Sequence, residues 1–302
     1  MNHEERGFWY GLGAYTAWGL LPLYWKLLAG VPVLQVIPHR IVWSTALLVV
    51  YIGSRGQLSA LREALSRPGV LATYAMAAAL IAINWTVFIW AVSAGYVVDV
   101  SLGYFVNPLL SMLIGVIVLG ETLRPWQWMA VALAAAGVLQ LTIALGSFPS
   151  VSLVLAASFA LYGFVKKRAP LGAVHGLAVE TGLLAVPALF VLAWSEVHGD
   201  AAFLHDLDAG GHLSLLLVGA GAVTTAPLLM FASAARSIPL VWIGILQYVA
   251  PTLQLLIGVF VFGEPFSHER LAGFALVWAA LVVFAVEAVI AHRSASVVPP
   301  PE

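Results

Sequence analysis

Two ionisable side chains lie inside long apolar runs of the sequence, where each could interact with a charged group. Glu180 lies eight residues past Gly172, which places it about 12 Å along a helix at roughly 1.5 Å per residue. Arg40 follows Pro38 near the start of another apolar run. A charge in apolar surroundings is costly unless it has an ion partner, hydrogen bonds or water. Glu180 is therefore a candidate for proton coupling or cation binding, and Arg40 for binding an anionic group such as a carboxylate.

Both residues also have structural interpretations. Glu180 is equally compatible with a hydrogen bond that joins two helices. Arg40 and the adjacent His39 are equally compatible with a packing role. Lys26 could join them in a basic vestibule, although its long side chain favours an extension to the membrane surface.

Uncharged polar residues accompany these charges within the apolar runs. They are Asn84, Trp85, Asn107, Gln247 and Tyr248. Their amide, indole and hydroxyl groups could orient a polar solute inside a membrane. Hydrogen bonding between helices is an equally good explanation for Asn84 and Gln247.

The sequence lacks the motifs of common enzyme classes. It contains no G-x-S-x-G, H-E-x-x-H or G-x-x-x-x-G-K-[ST] run. His268-Glu269-Arg270 begins like a zinc-protease motif, but Ala272 occupies the position of the second histidine. The chain has no cysteine, and its histidines do not cluster with acids at metal-ligand spacing. We therefore predict no enzyme activity, no metal, no cofactor and no ATP site.

The composition indicates the environment of these side chains. Of 302 residues, 62% are apolar and 9% are charged, and the mean hydropathy is +0.99. Soluble domains average about 45–50% apolar and about 25% charged residues, so the chain is predicted to lie in a lipid bilayer. The net charge of −1 provides no basic field for nucleic acid. The apolar runs lack the alternation of a barrel strand, which favours helices.

The charge-poor runs divide into ten segments that could each cross a bilayer as a helix. The predicted spans are 7–28, 36–53, 70–93, 99–119, 125–145, 150–165, 173–194, 212–234, 240–262 and 270–291. The sixth span is the shortest. The predicted fold class is therefore an all-α polytopic membrane protein with ten transmembrane helices.

Lys and Arg positions predict the orientation, because basic loops stay on the cytoplasmic side. With the amino terminus inside, ten basic residues fall on the inner side and only Arg270 falls outside. The inner residues are Arg6, Arg55, Arg62, Arg67, Arg124, Lys166, Lys167, Arg168, Arg236 and Arg293. Both termini are thus predicted to be cytoplasmic, whereas the acidic loop 195–211 is predicted to be external.

The sequence contains an internal repeat at an offset of 143 residues. Segment 104–121 aligns with segment 247–264, and both contain a proline and a terminal Gly-Glu pair at matching positions. The repeat covers five spans, an odd number, so the second copy must enter the membrane from the opposite face. We predict two inverted five-helix repeats, residues 1–145 and 146–293, followed by a disordered cytoplasmic tail, 294–302.

Inverted repeats are typical of secondary transporters, in which one central site faces the two sides of the membrane alternately. The matched prolines, Pro108 and Pro251, lie near the middle of their spans and loosen the preceding helical turn. We expect both to be helix discontinuities beside a solute cavity, with packing as the alternative. The glutamates of the Gly-Glu pairs, Glu121 and Glu264, are expected to meet water at span ends.

Several sequence runs resemble the RarD subgroup of the EamA-type drug/metabolite transporter superfamily. The most specific is Ser101–Leu109, which contains Tyr104, Asn107 and Pro108. The other similar runs are His39–Ser44, Asn84-Trp85 with Phe88–Val92, Leu161–Gly163 before Lys166-Lys167, Glu180-Thr181, Val223–Leu228 and Leu246–Tyr248. Together they extend over nearly the whole chain.

This resemblance implies a carrier in the bacterial cytoplasmic (inner) membrane that exports small metabolites or drug-like amphiphiles. It implies a cavity formed by spans one to four and six to nine, and it adds Tyr104 to the candidate site residues. We predict transport of a small-molecule solute by alternating access, with Arg40 and Gln247 orienting the solute and Glu180 coupling its movement to protons. The alternative is a non-transporting membrane scaffold or lipid-handling protein whose polar residues only join helices.

Overall fold

The computed structural model describes residues 3–28, 30–94, 97–145, 149–198, 203, 211–263 and 268–295. The secondary structure of these residues is entirely helical. The helices are α1 (His3–Leu27), α2 (Val33–Ser54), α3 (Leu58–Leu65), α4 (Pro68–Ser93), α5 (Val97–Leu119), α6 (Pro125–Leu145), α7 (Ser150–Arg168), α8 (Ala173–Val197), α9 (His212–Ser237), α10 (Leu240–Gln247), α11 (Val249–Phe260) and α12 (His268–Ala295).

Each of the ten predicted spans contains a long helix or, in the ninth span, the pair α10 and α11. Eight helical segments of the described chain are long and apolar enough to cross a membrane. Helices α1 and α12 are not among the eight; α12 contains a shorter apolar stretch, Leu271–Glu287. The chain is thus an all-helical, multi-pass membrane protein, whereas ten crossings in two inverted repeats remain a prediction. The short helix α3 was not expected.

The two matched prolines behave differently. Helix α5 runs without interruption through Pro108, so the expected discontinuity is wrong at this position. In the corresponding span, α10 ends at Gln247 and α11 begins at Val249. The ring of Pro251 clashes with the carbonyl of the residue four positions earlier, which is Gln247. The helix therefore breaks at the turn that this proline weakens.

The predicted halves do not form separate bodies. The most extensive helix contacts join an element before residue 146 to an element after it, as in the pairs α6 with α12, α5 with α7, α1 with α9 and α2 with α8. Glycines permit some of these close approaches. A Cβ atom on Gly244 of α10 would lie 2.7 Å from the Pro108 carbonyl oxygen of α5. Small residues at such crossings let helix backbones pack closely in a membrane.

Several polar contacts gather at one end of the bundle, which we call the basic end. It contains the carboxyl ends of α7 and α9, the amino end of α10 and the turn after α5. Lys167 Nζ donates to the Ile238 carbonyl at 2.8 Å, and the Arg236 guanidinium donates to the Ala169 carbonyl at 2.8 Å. These bonds tie together two of the chain segments that the sequence predicted to be cytoplasmic.

Candidate functional site

A cavity of about 340 Å³ lies inside the bundle. It is bounded by residues of α1, α2, α4, α5, α7, α9, α10 and α11, and therefore by both predicted halves. Most of its lining comes from the carboxyl-terminal halves of α1 and α4 and the amino-terminal halves of α5 and α7. These are the helix portions farthest from the basic end.

The cavity brings together six of the nine polar or aromatic side chains predicted as a site. The six are Arg40, Asn84, Trp85, Tyr104, Asn107 and Gln247. Pro251 also lines the cavity, whereas Pro108 does not. Glu180, His39 and Tyr248 lie elsewhere, each with another partner.

Arg40 is the one charged side chain among the described lining residues. Its guanidinium carbon lies 4.9 Å from the ring centroids of both Trp25 and Trp85, which is the geometry of a cation–π contact. Its Nε atom donates to Thr224 Oγ1 of α9 at 2.9 Å. No carboxylate of the described part of the chain lies within 4.0 Å of it. Arg40 is thus held in position by neutral groups, and no described carboxylate neutralises its positive charge.

The deep part of the cavity contains a short chain of hydrogen bonds. Gln247 Nε2 donates to Ser111 Oγ at 3.0 Å, and Ser111 Oγ donates to Asn107 Oδ1 at 3.5 Å. Tyr15 faces the Gln247 side chain. Neither the Tyr15 hydroxyl nor Gln247 Oε1 forms a hydrogen bond of ordinary geometry with described protein groups. Both side chains are at least 95% buried, so these two atoms are enclosed by protein rather than exposed to the cavity.

Asn84 has the structural role that the sequence also allowed. Its Nδ2 donates to the Leu155 carbonyl at 2.9 Å and to Ser158 Oγ at 3.0 Å, which joins α4 to α7. Its amide oxygen is not used in these bonds. Asn84 therefore positions a wall of the cavity while an acceptor atom is left for a solute.

Sequence reasoning missed two polar lining residues, Tyr15 and Gln254. Tyr15 lies on one face of α1 with Trp18, Pro22 and Trp25, at intervals close to whole helical turns. That spacing was a usable signal. Gln254 Nε2 donates to the Trp18 carbonyl at 3.2 Å, so it fastens α11 to this face.

Glu180 forms a buried ion pair outside the cavity. Its Oε2 atom lies 2.7 Å from Lys166 Nζ, and the two side chains are 2% and 3% exposed. The Lys166 ammonium group also lies 5.5 Å from the Tyr74 ring and 5.6 Å from the Tyr162 ring. The prediction that Lys166 occupies a cytoplasmic loop is wrong, because α7 continues to Arg168 and turns Lys166 into the bundle.

His39 and Tyr248 pack near the cavity without lining it. The His39 ring is buried and stacks on Phe203, with ring centroids 5.1 Å apart. The Tyr248 hydroxyl donates to the Phe105 carbonyl at 3.3 Å. Tyr248 thus links the break in the ninth span to α5.

Comparisons with known proteins identify the family. The EamA-like transporter family matches residues 5–143. Protein RarD of Streptomyces exfoliatus is 46% identical over 283 residues, which are 93% of this chain and 89% of that protein. The chain belongs to the RarD subgroup of the EamA-type transporters.

Other relatives of this RarD-type chain cover it just as fully. Protein RarD of Escherichia coli is 39% identical over 98% of this chain and 99% of its own length. A protein named as an uncharacterized transporter of Pseudomonas aeruginosa is 44% identical over 94% of both chains. One solved crystal structure has a TM-score of 0.67 and 18% identity, and the match covers 92% of this chain and 96% of that one. That structure supports the fold alone.

The first Gly-Glu pair of the RarD-type chain has a structural function. Glu121 accepts hydrogen bonds from the backbone amides of Leu240 at 2.8 Å and Val241 at 2.9 Å. These are the first amides of α10, so the carboxylate caps that helix and complements its dipole. Lys167 Nζ lies 3.6 Å from the same carboxylate. The expectation that Glu121 meets water is therefore wrong, while Glu264 lies outside the described residues.

Ion pairing also joins α6 to α12 in the RarD-type chain. Glu287 accepts from Arg124 at 2.8 Å and from the Gln127 amide at 3.0 Å. No group of three metal-ligating side chains occurs in the described ranges. The chemistry that the cavity offers is therefore hydrogen bonding, one positive charge and aromatic contact.

Proposed function

We propose that this chain carries a small organic solute across the bacterial cytoplasmic membrane by alternating access, with the cavity around Arg40 and Gln247 as the solute site. The observation that carries the proposal is the position of the cavity between helices of both halves. Movement of one half against the other would change which end of this cavity is open. Export is the proposed direction, by the family resemblance.

The two ends of the bundle differ in a way that suits this mechanism. The cavity lining extends from the middle of the helices away from the basic end. At the basic end, Glu121 holds α10 and Lys167 holds the turn before it. The Glu121 contact connects the two halves, so opening the basic end would require it to separate.

The Lys166–Glu180 pair lies within the second predicted half, between α7 and α8. Protonation of Glu180 would remove its charge and weaken its attraction to Lys166. We propose this step as the link between a proton gradient and opening of the basic end. It supplies a driving force without ATP, in keeping with the missing phosphate-binding motif.

We propose that the basic end faces the cytoplasm, because Lys and Arg concentrate there. The structure would then correspond to a state in which the cavity is closed toward the cytoplasm. A reporter fused between Arg55 and Pro68 should read cytoplasmic. A periplasmic signal from that fusion would reverse the proposed orientation.

Alternating access can be tested directly because the natural chain contains no cysteine. One variant carries Leu21→Cys in the cavity lining, and another carries Ala169→Cys at the buried basic end. Labelling by a membrane-impermeant maleimide is measured in oriented vesicles with and without a proton gradient. Leu21→Cys should lose reactivity under the conditions in which Ala169→Cys gains it.

The control variant is Ser66→Cys, which replaces an exposed residue between α3 and α4. Its labelling should not respond to the gradient. Reciprocal changes at the two test positions support alternating access. Constant labelling at both positions, together with no solute flux in proteoliposomes, would instead indicate a fixed membrane scaffold.

A further inference from the structure

We infer that the solute is a small organic monocarboxylate that also carries a hydrogen-bond donor. This inference rests on the proposed function, since it names the solute class of the same cavity. It follows from the charge of the lining, the free atoms of Arg40, the aromatic walls and an unused acceptor of the lining.

The charge of the described lining is a single positive charge, that of Arg40. An organic cation would meet repulsion there without a described carboxylate to offset it. A doubly charged phosphate would retain one uncompensated negative charge within largely apolar walls. One carboxylate matches the single guanidinium, so electrostatic balance favours a monoanion.

The geometry of Arg40 favours a planar, two-oxygen group. Its Nε atom is occupied by Thr224, and the remaining guanidinium nitrogens have no hydrogen bond to a described residue. Trp25 and Trp85 contact the guanidinium and limit its rotation. A guanidinium restrained in this way presents parallel N–H groups, which a carboxylate accepts in bidentate fashion.

The body of the solute must fit an apolar, aromatic space. The walls include Trp18, Phe88 and Phe159, and the Phe88 ring meets the Tyr104 ring at a centroid distance of 6.3 Å. The volume of about 340 Å³ lies near the small end of known ligand sites, which span roughly 300–1,000 Å³. At about 30 Å³ per water-sized group, it holds about a dozen non-hydrogen atoms.

The lining also calls for a donor on the solute. Asn84 Nδ2 donates to the Leu155 carbonyl and to Ser158 Oγ, which leaves Asn84 Oδ1 as a free acceptor of a lining residue. A carbonyl oxygen only accepts hydrogen bonds, so its complement on the solute is an O–H or N–H group. An acceptor left unpaired in the occupied cavity discriminates against analogues that lack the donor.

The test compares three synthetic probes of nearly equal size. They are para-hydroxyphenylpropionate, its primary amide, and phenylpropionate. Binding to the full-length chain in detergent is measured by isothermal titration calorimetry. The hydroxylated acid should bind about tenfold to a hundredfold more tightly than its amide, since hydrogen bonds to a charged group are worth about 1.5–3 kcal/mol. The acid without the hydroxyl should bind less tightly than the hydroxylated acid.

Arg40→Gln should abolish the preference for acid over amide, while Arg40→Lys should retain part of it because the charge remains. Lys26→Gln is the matched control, since it removes a positive charge from the same region, where Lys26 lies over Phe262 and not in the cavity. It should leave the preference unchanged. Thermal unfolding of each variant confirms that the chain is folded.

The inference about the solute class is overturned if the amide binds as tightly as the acid, or if Arg40→Gln keeps the wild-type preference. Failure of the transport proposal gives a different result, because probes would then bind with the expected order but never move in proteoliposomes. Flux of the amide but not of the acid would uphold transport and reject the monocarboxylate. Binding of the acid that is insensitive to loss of its hydroxyl would reject the proposed donor contact.

Discussion

Two cations inside the helix bundle of this protein are held in opposite ways. Lys166 lies against a carboxylate at 2.7 Å, and both members of the pair are nearly inaccessible. Arg40 is partly buried between two indole rings and a threonine hydroxyl, with no carboxylate of a described residue in contact. Their charge and their position within apolar segments alone would rank the two residues together. Their partners separate a closed ion pair in the bundle from a cation that faces an open cavity.

The contrast separates a charge that contributes to the stability of the fold from a charge that reduces it. The paired charge joins α7 to α8, although a hydrophobic pair could replace it at little cost. An unpaired charge beside a cavity is partly desolvated without gaining an ion partner, so it stabilises the folded state little. The loss of unfolding free energy on substitution of a charged residue should therefore depend on how that charge is partnered.

The largest effect is expected from Glu180→Gln. It leaves the Lys166 charge buried without a counter-ion, so we expect the free energy of unfolding to fall by about 3–5 kcal/mol. Chemical unfolding in detergent measures this loss. The double variant Lys166→Met with Glu180→Leu should recover most of it, because neither charge remains. Wild-type stability of Glu180→Gln alone would remove the basis of the comparison.

A smaller loss is expected from Glu121→Ala, which deletes the cap of α10. Loss of a capping side chain costs about 0.5–2 kcal/mol, and here two backbone amides lose their acceptor. The same unfolding measurement detects it. Glu121→Gln should lie between the variant and the wild type, since the amide oxygen still accepts. An equal loss in Ala and Gln variants would mean that charge, rather than capping, is the main contribution.

Arg40→Met should change the stability of the fold little and should abolish solute binding. It removes the hydrogen bond to Thr224, worth about 1 kcal/mol, and also removes a buried charge. We expect unfolding within about 1 kcal/mol of the wild type or at higher free energy, since functional groups commonly reduce stability. Binding of an anionic solute should be lost in the same preparation. Strong destabilisation would place Arg40 among the structural charges with Lys166.

The smallest effect is expected from Arg67→Gln on the surface. Arg67 pairs with Glu63 one helical turn away at 2.6 Å, and both side chains are about two-thirds exposed. Exposed pairs at this spacing contribute about 0.3–0.5 kcal/mol. The change in unfolding free energy should shrink further at high salt. A salt-independent loss of unfolding free energy larger than that of Glu121→Ala would contradict this ranking of the charges by their partners.

The helices were largely predictable, because the bilayer requires long apolar segments and charges mark their ends. The cavity was partly predictable for a related reason, since polar groups inside such segments must face one another or a solute. Arg40, Asn107 and Gln247 were found in this way. Tyr15 was harder to recognise, because tyrosine is common in membrane helices and only its alignment with Trp18 and Trp25 marks it.

The partner of Glu180 could not be predicted from local sequence. Lys166 precedes Lys167 and Arg168, and a run of three cations is typical of a cytoplasmic loop. Only the rotation of the last turn of α7 directs the first cation inward and leaves Arg168 exposed. The helix break at Tyr248 could not be predicted from local sequence either. Pro108 and Pro251 weaken equivalent turns, and tertiary packing decides that just one of the helices divides there.

The way in which the halves interlock also affects how the chain is made. Helices α1, α2, α4 and α5 have their most extensive contacts with helices that follow residue 146, so they have few of their final partners when they emerge from the ribosome. The helices of the first half should therefore remain loosely associated in the bilayer until synthesis is nearly complete. Biogenesis of this protein should therefore depend on translation speed and on insertion chaperones, and the two halves should assemble only when they are produced together.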